Sequence, residues 1–192
     1  MQEIIAYSYD SYIRQFEQAK DKATAFILSL DEYTFLRRPA PDNWCIAECF
    51  SHLQNFGTIY LENIRQGLNT AAYYEANSEV AFPPRLYWKW IASWFEPPYR
   101  IKVKTFRPFE PESVAGCTRH QLLEEFISLQ DQFIIQLEEA REQRYDLGKV
   151  KVRNPVFTFA KMKLSECYTV IIAHQRRHFW QAEHVLKMLK SE

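Results

Sequence analysis

His174, His178 and Gln181 follow one another at steps of four and three residues. Residues so spaced share one face of a helix. Two imidazoles at i and i+4 can chelate a single metal ion, as in the helical histidine pairs of metalloproteases. The competing reading is a pair of hydrogen-bonded core histidines, because a buried polar group without a partner costs about 1–3 kcal/mol. A third imidazole, His52, lies far upstream beside the apolar positions Cys49, Leu53 and Phe56. Three imidazoles from two facing helices leave coordination positions open, whereas a structural zinc site is usually closed by four ligands. An open site of this kind lowers the pKa of a bound water or takes a thiolate directly. Imidazole suits zinc, nickel, iron and copper alike, so the donors do not choose the metal.

The other reactive side chains are weighed against ordinary roles. Glu48, one turn before His52, could act as a base or orient a ligand, but the reading preferred here is a helix N-terminal carboxylate interacting with the dipole. Gln181 could orient a ligand or water from just outside the ligand set. Cys49 and Cys167 lie near the seam and read as small buried hydrophobes, with Cys49 an alternative fourth ligand. His120 and His184 fall off the shared face and are expected on the solvent side. Arg176 and Arg177 flank the histidines, on a face expected to turn partly away from them. No catalytic residue beyond these candidates is named.

Helices must hold these side chains, and the prolines mark where helices fit. They stand at positions 39, 41, 83, 84, 97, 98, 108, 111 and 155, and a helix interior excludes proline. The windows between them carry a helical period. Ile13, Phe16, Ala23, Ile27 and Leu30 mark the first, with Lys20 interrupting. Ile46, Phe50, Leu53, Gly57, Ile64 and Leu68 mark the second. Leu122, Phe126, Leu129, Phe133 and Leu137 mark the third, after a capping box at Thr118 and Gln121. Leu164, Cys167, Ile171, Val185 and Leu189 mark the fourth, and its seam runs through His174, His178 and Gln181. Helices are expected at about 8–30, 43–68, 119–142 and 162–190, in a single domain over 1–192. Four such stripes predict an all-α four-helix bundle. The excursion 69–118 is too long for a simple loop. It carries Phe82, Tyr87, Trp88, Trp90, Trp94, Phe95, Tyr99, Phe106 and Phe109, with a short helix expected over 85–95 and an extended stretch from Ile101. It reads either as a satellite hydrophobic cluster or as a wall over a pocket.

Composition narrows the function classes. The 192 residues hold 24 Lys and Arg against 24 Asp and Glu. A nucleic-acid binder usually shows a basic excess, so no nucleic-acid partner is expected. No apolar run is long enough to span a membrane. The opening residues lack the pattern of a signal peptide, and four cysteines read as free thiols of a reducing compartment. The expected location is the cytoplasm. Apolar surface left by segment 82–99 could support a homodimer.

Two motifs resemble a known family. Trp44-Cys-Ile-Ala-Glu-Cys-Phe-Ser-His52-Leu53 resembles the second-helix motif of the DinB-like (YfiT-like) superfamily, and His174-Gln-Arg-Arg-His178-Phe-Trp-Gln181 resembles its last-helix motif. Asn154-Pro155 and Thr105-Phe-Arg-Pro-Phe-Glu-Pro111 fit its larger branch. The resemblance implies a four-helix bundle of up-down-down-up order and a metal site of His52, His174 and His178. It implies a divalent transition metal, zinc or nickel first and iron or manganese next. The activity implied is a metal-dependent transferase or hydrolase acting on a small molecule, with a low-molecular-weight thiol as co-substrate in the transferase case. The alternative is a non-catalytic metal-binding or stress-associated bundle. One departure stands out: Cys45 occupies the helix-cap position where the family has Ser or Thr. Because Cys is a poor cap, Asn43 or Asp42 is expected to take over.

Overall fold

Each long helix begins where a side chain can close its first turn. In the computed structural model, which describes residues 6–70, Tyr73, 80–98, Thr105 and 107–191, Ser8 Oγ accepts the Ser11 N–H at the head of α1 (Tyr9–Leu28). Asp31 does the same for the short α2 (Glu32–Leu36), which the sequence reading did not anticipate. Next come α3 (Ile46–Leu68) and α4 (Leu86–Phe95). Thr118 caps α5 (Arg119–Glu142) by accepting the Gln121 N–H at 3.2 Å, while the Gln121 side chain donates to Glu125 rather than closing the box. A two-stranded antiparallel ribbon, β1 (Lys151–Arg153) and β2 (Lys161–Lys163), leads into α6 (Leu164–Lys190) with Val152 opposite Met162. The ribbon occupies residues where the last helix was expected to begin, so that helix starts two residues later.

Pairwise contacts fix the directions of the helices. Along α1 and α5, Asp10 pairs with Arg141, Phe16 with Phe133 and Lys20 with Asp131, so the two run antiparallel. Along α3 and α5, Phe50 meets Phe126 and the Leu61 carbonyl accepts from Gln136, so these two run parallel. Phe50 meets Phe179 and Gly67 faces Leu164, so α6 runs against α3. The order is therefore up-down-down-up for α1, α3, α5 and α6. Close α3–α5 packing explains Gly57 within a helix: a Cβ there would lie 2.5 Å from Leu129 Cδ2.

The apolar interior falls into two clusters. One gathers around Phe16, Tyr60, Phe133 and Tyr168, the other around Ile27, Phe50, Phe126 and Phe179. Between them the four helices contribute a polar layer. Lys20 and Asp131 form an ion pair at its edge, which accounts for the lysine interrupting the α1 stripe. Buried Gln175 donates to buried Gln130 at 2.7 Å. His52, His174 and His178 complete the layer. Among the described residues, no helix is long and apolar enough to cross a membrane.

Candidate metal centre

The two helices that carry the histidines are anchored by the same device. At the start of α3, Glu48 accepts the Cys45 N–H at 2.8 Å and forms an ion pair with Arg38. At the start of α6, Glu166 accepts the Lys163 N–H at 2.8 Å and pairs with Arg85 at 2.8 Å. Burial alone would push both carboxyls up, but the arginines and the backbone N–H groups outweigh it and hold both below their ordinary value. The expected replacement of Cys45 as cap is overturned: Cys45 Sγ accepts the Glu48 N–H at 3.4 Å. A sulfur acceptor works at that longer distance, and the reciprocal Glu48 bond supplies what the weak cap lacks.

These anchors set one turn of α6 against His52. The Nε2 atoms of His52 and His174 lie 3.3 Å apart, and those of His174 and His178 lie 3.2 Å apart. Potential ligand atoms of all three fall within 4.8 Å of one another. Donors about 2.0–2.1 Å from a tetrahedral ion are about 3.3 Å from each other, which is the spacing of both pairs that include His174. The His52 Nδ1–H donates to the Phe109 carbonyl, so its Nε2 presents a lone pair to the cluster. A proton on His174 Nε2 can serve only one of its two neighbours, whereas a cation serves all three. The Nδ1 atoms of His174 and His178 are buried and have no hydrogen-bond partner among the described residues.

The surroundings keep the imidazoles neutral, which is the form that binds metal. Burial is the main cause for each. It lowers His52 from 6.5 to about 4, with the Phe109 carbonyl opposing and the Arg177 charge adding to it. His174 is pushed well below the ordinary value by burial, His178, His52 and Arg177, and His178 by burial, His52 and Arg177. A contact with Gln181 opposes this slightly at His178. Aromatic rings enclose the cluster. Phe56 stacks on His174 with centroids 3.8 Å apart, and Phe95 meets the same ring edge-on at 5.4 Å. Trp44 lies 5.1 Å from His52 and 6.0 Å from His178.

A family model described as the DinB superfamily matches residues 15–182. The chain belongs to the DinB superfamily. Among solved structures it is similar to YfiT from Bacillus subtilis, described as a probable metal-dependent hydrolase with an unusual four-helix bundle topology. That likeness has a TM-score of 0.60 and 11% identity, covering 99% of this chain and 92% of the other. At such identity it shows the fold. No curated protein matches the chain.

In this DinB-superfamily bundle the remaining candidates separate. Glu48 stays out of the imidazole cluster, with its oxygens engaged by Arg38 and Cys45. Gln181 is half-buried beside His178. Cys49 and Cys167 are fully buried, burial pushes both thiols up, and neither joins the cluster. His120 is exposed, and half-buried His184 points its Nδ1 at the Trp180 carbonyl. Arg176 is exposed and pairs with Glu96, but Arg177 is buried over the Phe95 ring, contrary to the expectation that it would face away. Its position three residues after His174 was the available signal.

The aromatic excursion divides in the same way. Phe82, Trp88 and Phe109 join the core, Phe95 walls the cluster, and Tyr87, Trp90 and Trp94 stay exposed. Tyr99, Phe106 and the stretch from Ile101 to Lys104 lie outside the described residues. A separate cleft of about 410 Å³ opens between α1, α4 and α6, and none of the three histidines lines it.

The assignment of Glu48 to anchoring has a checkable consequence. Glu48→Gln is expected to lower stability by about 1–2 kcal/mol in urea unfolding, through the weakened cap and lost ion pair. Metal content should be unchanged by elemental analysis. Loss of metal at unchanged stability would instead place Glu48 in the centre.

Proposed function

We propose that the protein is a metal-dependent enzyme acting on a small molecule, with His52, His174 and His178 holding a divalent transition metal. The observation that carries this reading is the convergence of three buried imidazoles, with the Nε2 atoms of His52 and His178 each at donor spacing from that of His174 and ligand atoms of all three within 4.8 Å. The family resemblance makes zinc or nickel the first assignment, with iron or manganese as alternatives, since three imidazoles do not choose the metal. A metal held by three neutral side chains keeps coordination positions open and supplies a Lewis acid that activates water or a thiol.

The chain's own residues prepare that chemistry. Phe109 fixes the His52 tautomer through its carbonyl. Phe56 and Trp44 hold the ring planes, and the aromatic enclosure limits bulk water. The reaction class proposed is hydrolysis or transfer to a low-molecular-weight thiol. The description of YfiT supports hydrolysis, and the family resemblance brings in the thiol. A second reading, a metal that only staples the bundle, draws on the depth of the cluster: His52 is 3% exposed and the other two 5%.

Metal-loaded protein should be supplied with activated esters, amides and alkylating electrophiles, with and without thiols. Turnover that needs metal but no thiol assigns hydrolysis, and turnover that needs both assigns transfer. Turnover that survives chelation would overturn the metal reading. Stoichiometric metal with no turnover and a large stability gain would favour the staple.

A further inference from the structure

The cleft of about 410 Å³ between α1, α4 and α6 has no part in the metal reading, and its size falls within the range of small-molecule sites. Its lining follows helical period. Lys89, Ala92, Ser93 and Glu96 share one face of α4, and Thr169, Ile172 and Arg176 share one face of α6. Ala92 and Ile172 give the cleft apolar wall, and the charged side chains stand around it.

Those charges do not balance. Glu96 is the sole acidic residue among those lining the cleft. It is taken by Arg176, whose Nε donates to Glu96 Oε2 at 2.9 Å and whose Nη1 donates to Gln15 Oε1 at 2.9 Å. Lys89 stands two turns earlier on α4. It is half-buried, and its ammonium lies 5.0 Å from the centroid of the Tyr7 ring. With Glu96 and Arg176 cancelling, Lys89 leaves the cleft with one net positive charge. A cation resting on a ring face keeps N–H donors for an anion.

The ring beneath Lys89 is held in place by a strained turn. Tyr7 has a φ of 63°, in the left-handed region that bulky L-residues avoid. Its carbonyl accepts the Phe82 N–H at 3.0 Å, which fixes that turn. Strained residues persist where their surroundings over-determine them, and they gather at ligand clamps. Here the turn brings an aromatic face to the one cation of the cleft that lacks a carboxylate among the lining residues. A single cation suits a ligand of single negative charge. A phosphate monoester carries nearly two charges and would call for a cluster of cations that the cleft does not have.

We propose that this cleft binds a small monocarboxylate with a short aliphatic body, the carboxylate on Lys89 and the body against Ala92 and Ile172. It is a second ligand site, separate from the three imidazoles.

The test titrates isotope-labelled full-length protein with hexanoate, hexanamide and hexylammonium, and amide shifts report both the affinity and the place of binding. Hexanoate is expected to move the Tyr7, Ser11, Ala92 and Thr169 amides. It should bind about tenfold or more tighter than hexanamide, the scale of a hydrogen bond to a charged group, with hexylammonium weakest. Lys89→Gln should bring hexanoate down to the level of the amide, and Lys89→Arg should keep most of the preference. Hexanoate that moves no cleft amide, or that binds no tighter than hexanamide, would overturn the proposal without recourse to any variant. An undiminished preference in Lys89→Gln would overturn it too, as would shifts centred on His52, His174 and His178. None of these results depends on a bound metal, so they separate this proposal from the metal reading.

Discussion

Stripped of metal, the protein is expected to lose stability as pH falls from 6.5 towards 4. The sign follows from the imidazoles. His52 has an ordinary value of 6.5 and is lowered to about 4 in the fold, chiefly by burial. Across that window the unfolded chain binds a proton that the folded chain refuses, so acid favours unfolding. Stability is complete above 6.5, falls through the window, and stops falling on this account below 4. His52 alone contributes roughly 3 kcal/mol to that loss. His174 and His178, lowered further, act in the same direction. Glu48 and Glu166, held below 4.5, add a second loss as pH falls past that value. Urea midpoints in chelator at pH 7.5, 6 and 5 measure the effect. Excess zinc should raise the midpoint at pH 7.5, through a stability gain of about 4 kcal/mol at a thousandfold excess over its Kd, and the gain should shrink at pH 5 as protons compete. A metal-free midpoint that stays flat from 7.5 to 5 would mean that the three imidazoles are not held neutral in the interior.

Replacing one ligand should separate metal binding from folding. His174→Phe keeps an aromatic ring against Phe56, where the native ring stacks at 3.8 Å, and removes the imidazole shared by the other two. Metal affinity is expected to fall by more than about a hundredfold, beyond the 10–100-fold cost of losing only an outer partner of a ligand. Metal-free stability at pH 5 should hold or rise, because a buried polar ring that resists protonation has been replaced by an apolar one. Isothermal titration with zinc and urea unfolding in chelator read the two effects. A variant that binds metal as tightly as the parent would remove His174 from the ligand set.

The cluster of three imidazoles was legible because it follows helical period. His174, His178 and Gln181 continue the apolar stripe that Ile171 begins and Val185 resumes, and His52 stands beside the stripe of the helix opposite. Period reports only which residues share a face, and most of what it missed comes from a second element covering that face. Arg177 was expected to turn partly away from the histidines, yet it is buried because α4 packs on α6 and brings Phe95 against its guanidinium. No side-chain pattern could have shown that the Phe109 carbonyl fixes the His52 tautomer, since the group is backbone, at the end of a short 3-10 turn over Arg107–Phe109. The Cys45 cap illustrates a local propensity outweighed by its partners: Glu48 closes the box from the other side and Arg38 holds Glu48. The lysine in the α1 stripe looked like an interruption of the core. It marks the level at which the core gives way to the polar layer that contains the histidines.

The central claim is that three imidazoles hold one metal ion. X-ray absorption at the metal edge, on protein produced with no added metal, tests it most directly. The account predicts one metal per chain with nitrogen donors at about 2.0–2.1 Å and imidazole scattering from three rings. Absence of stoichiometric metal would contradict it, as would sulfur donors at about 2.3 Å, which would put Cys49 or Cys167 in place of a histidine.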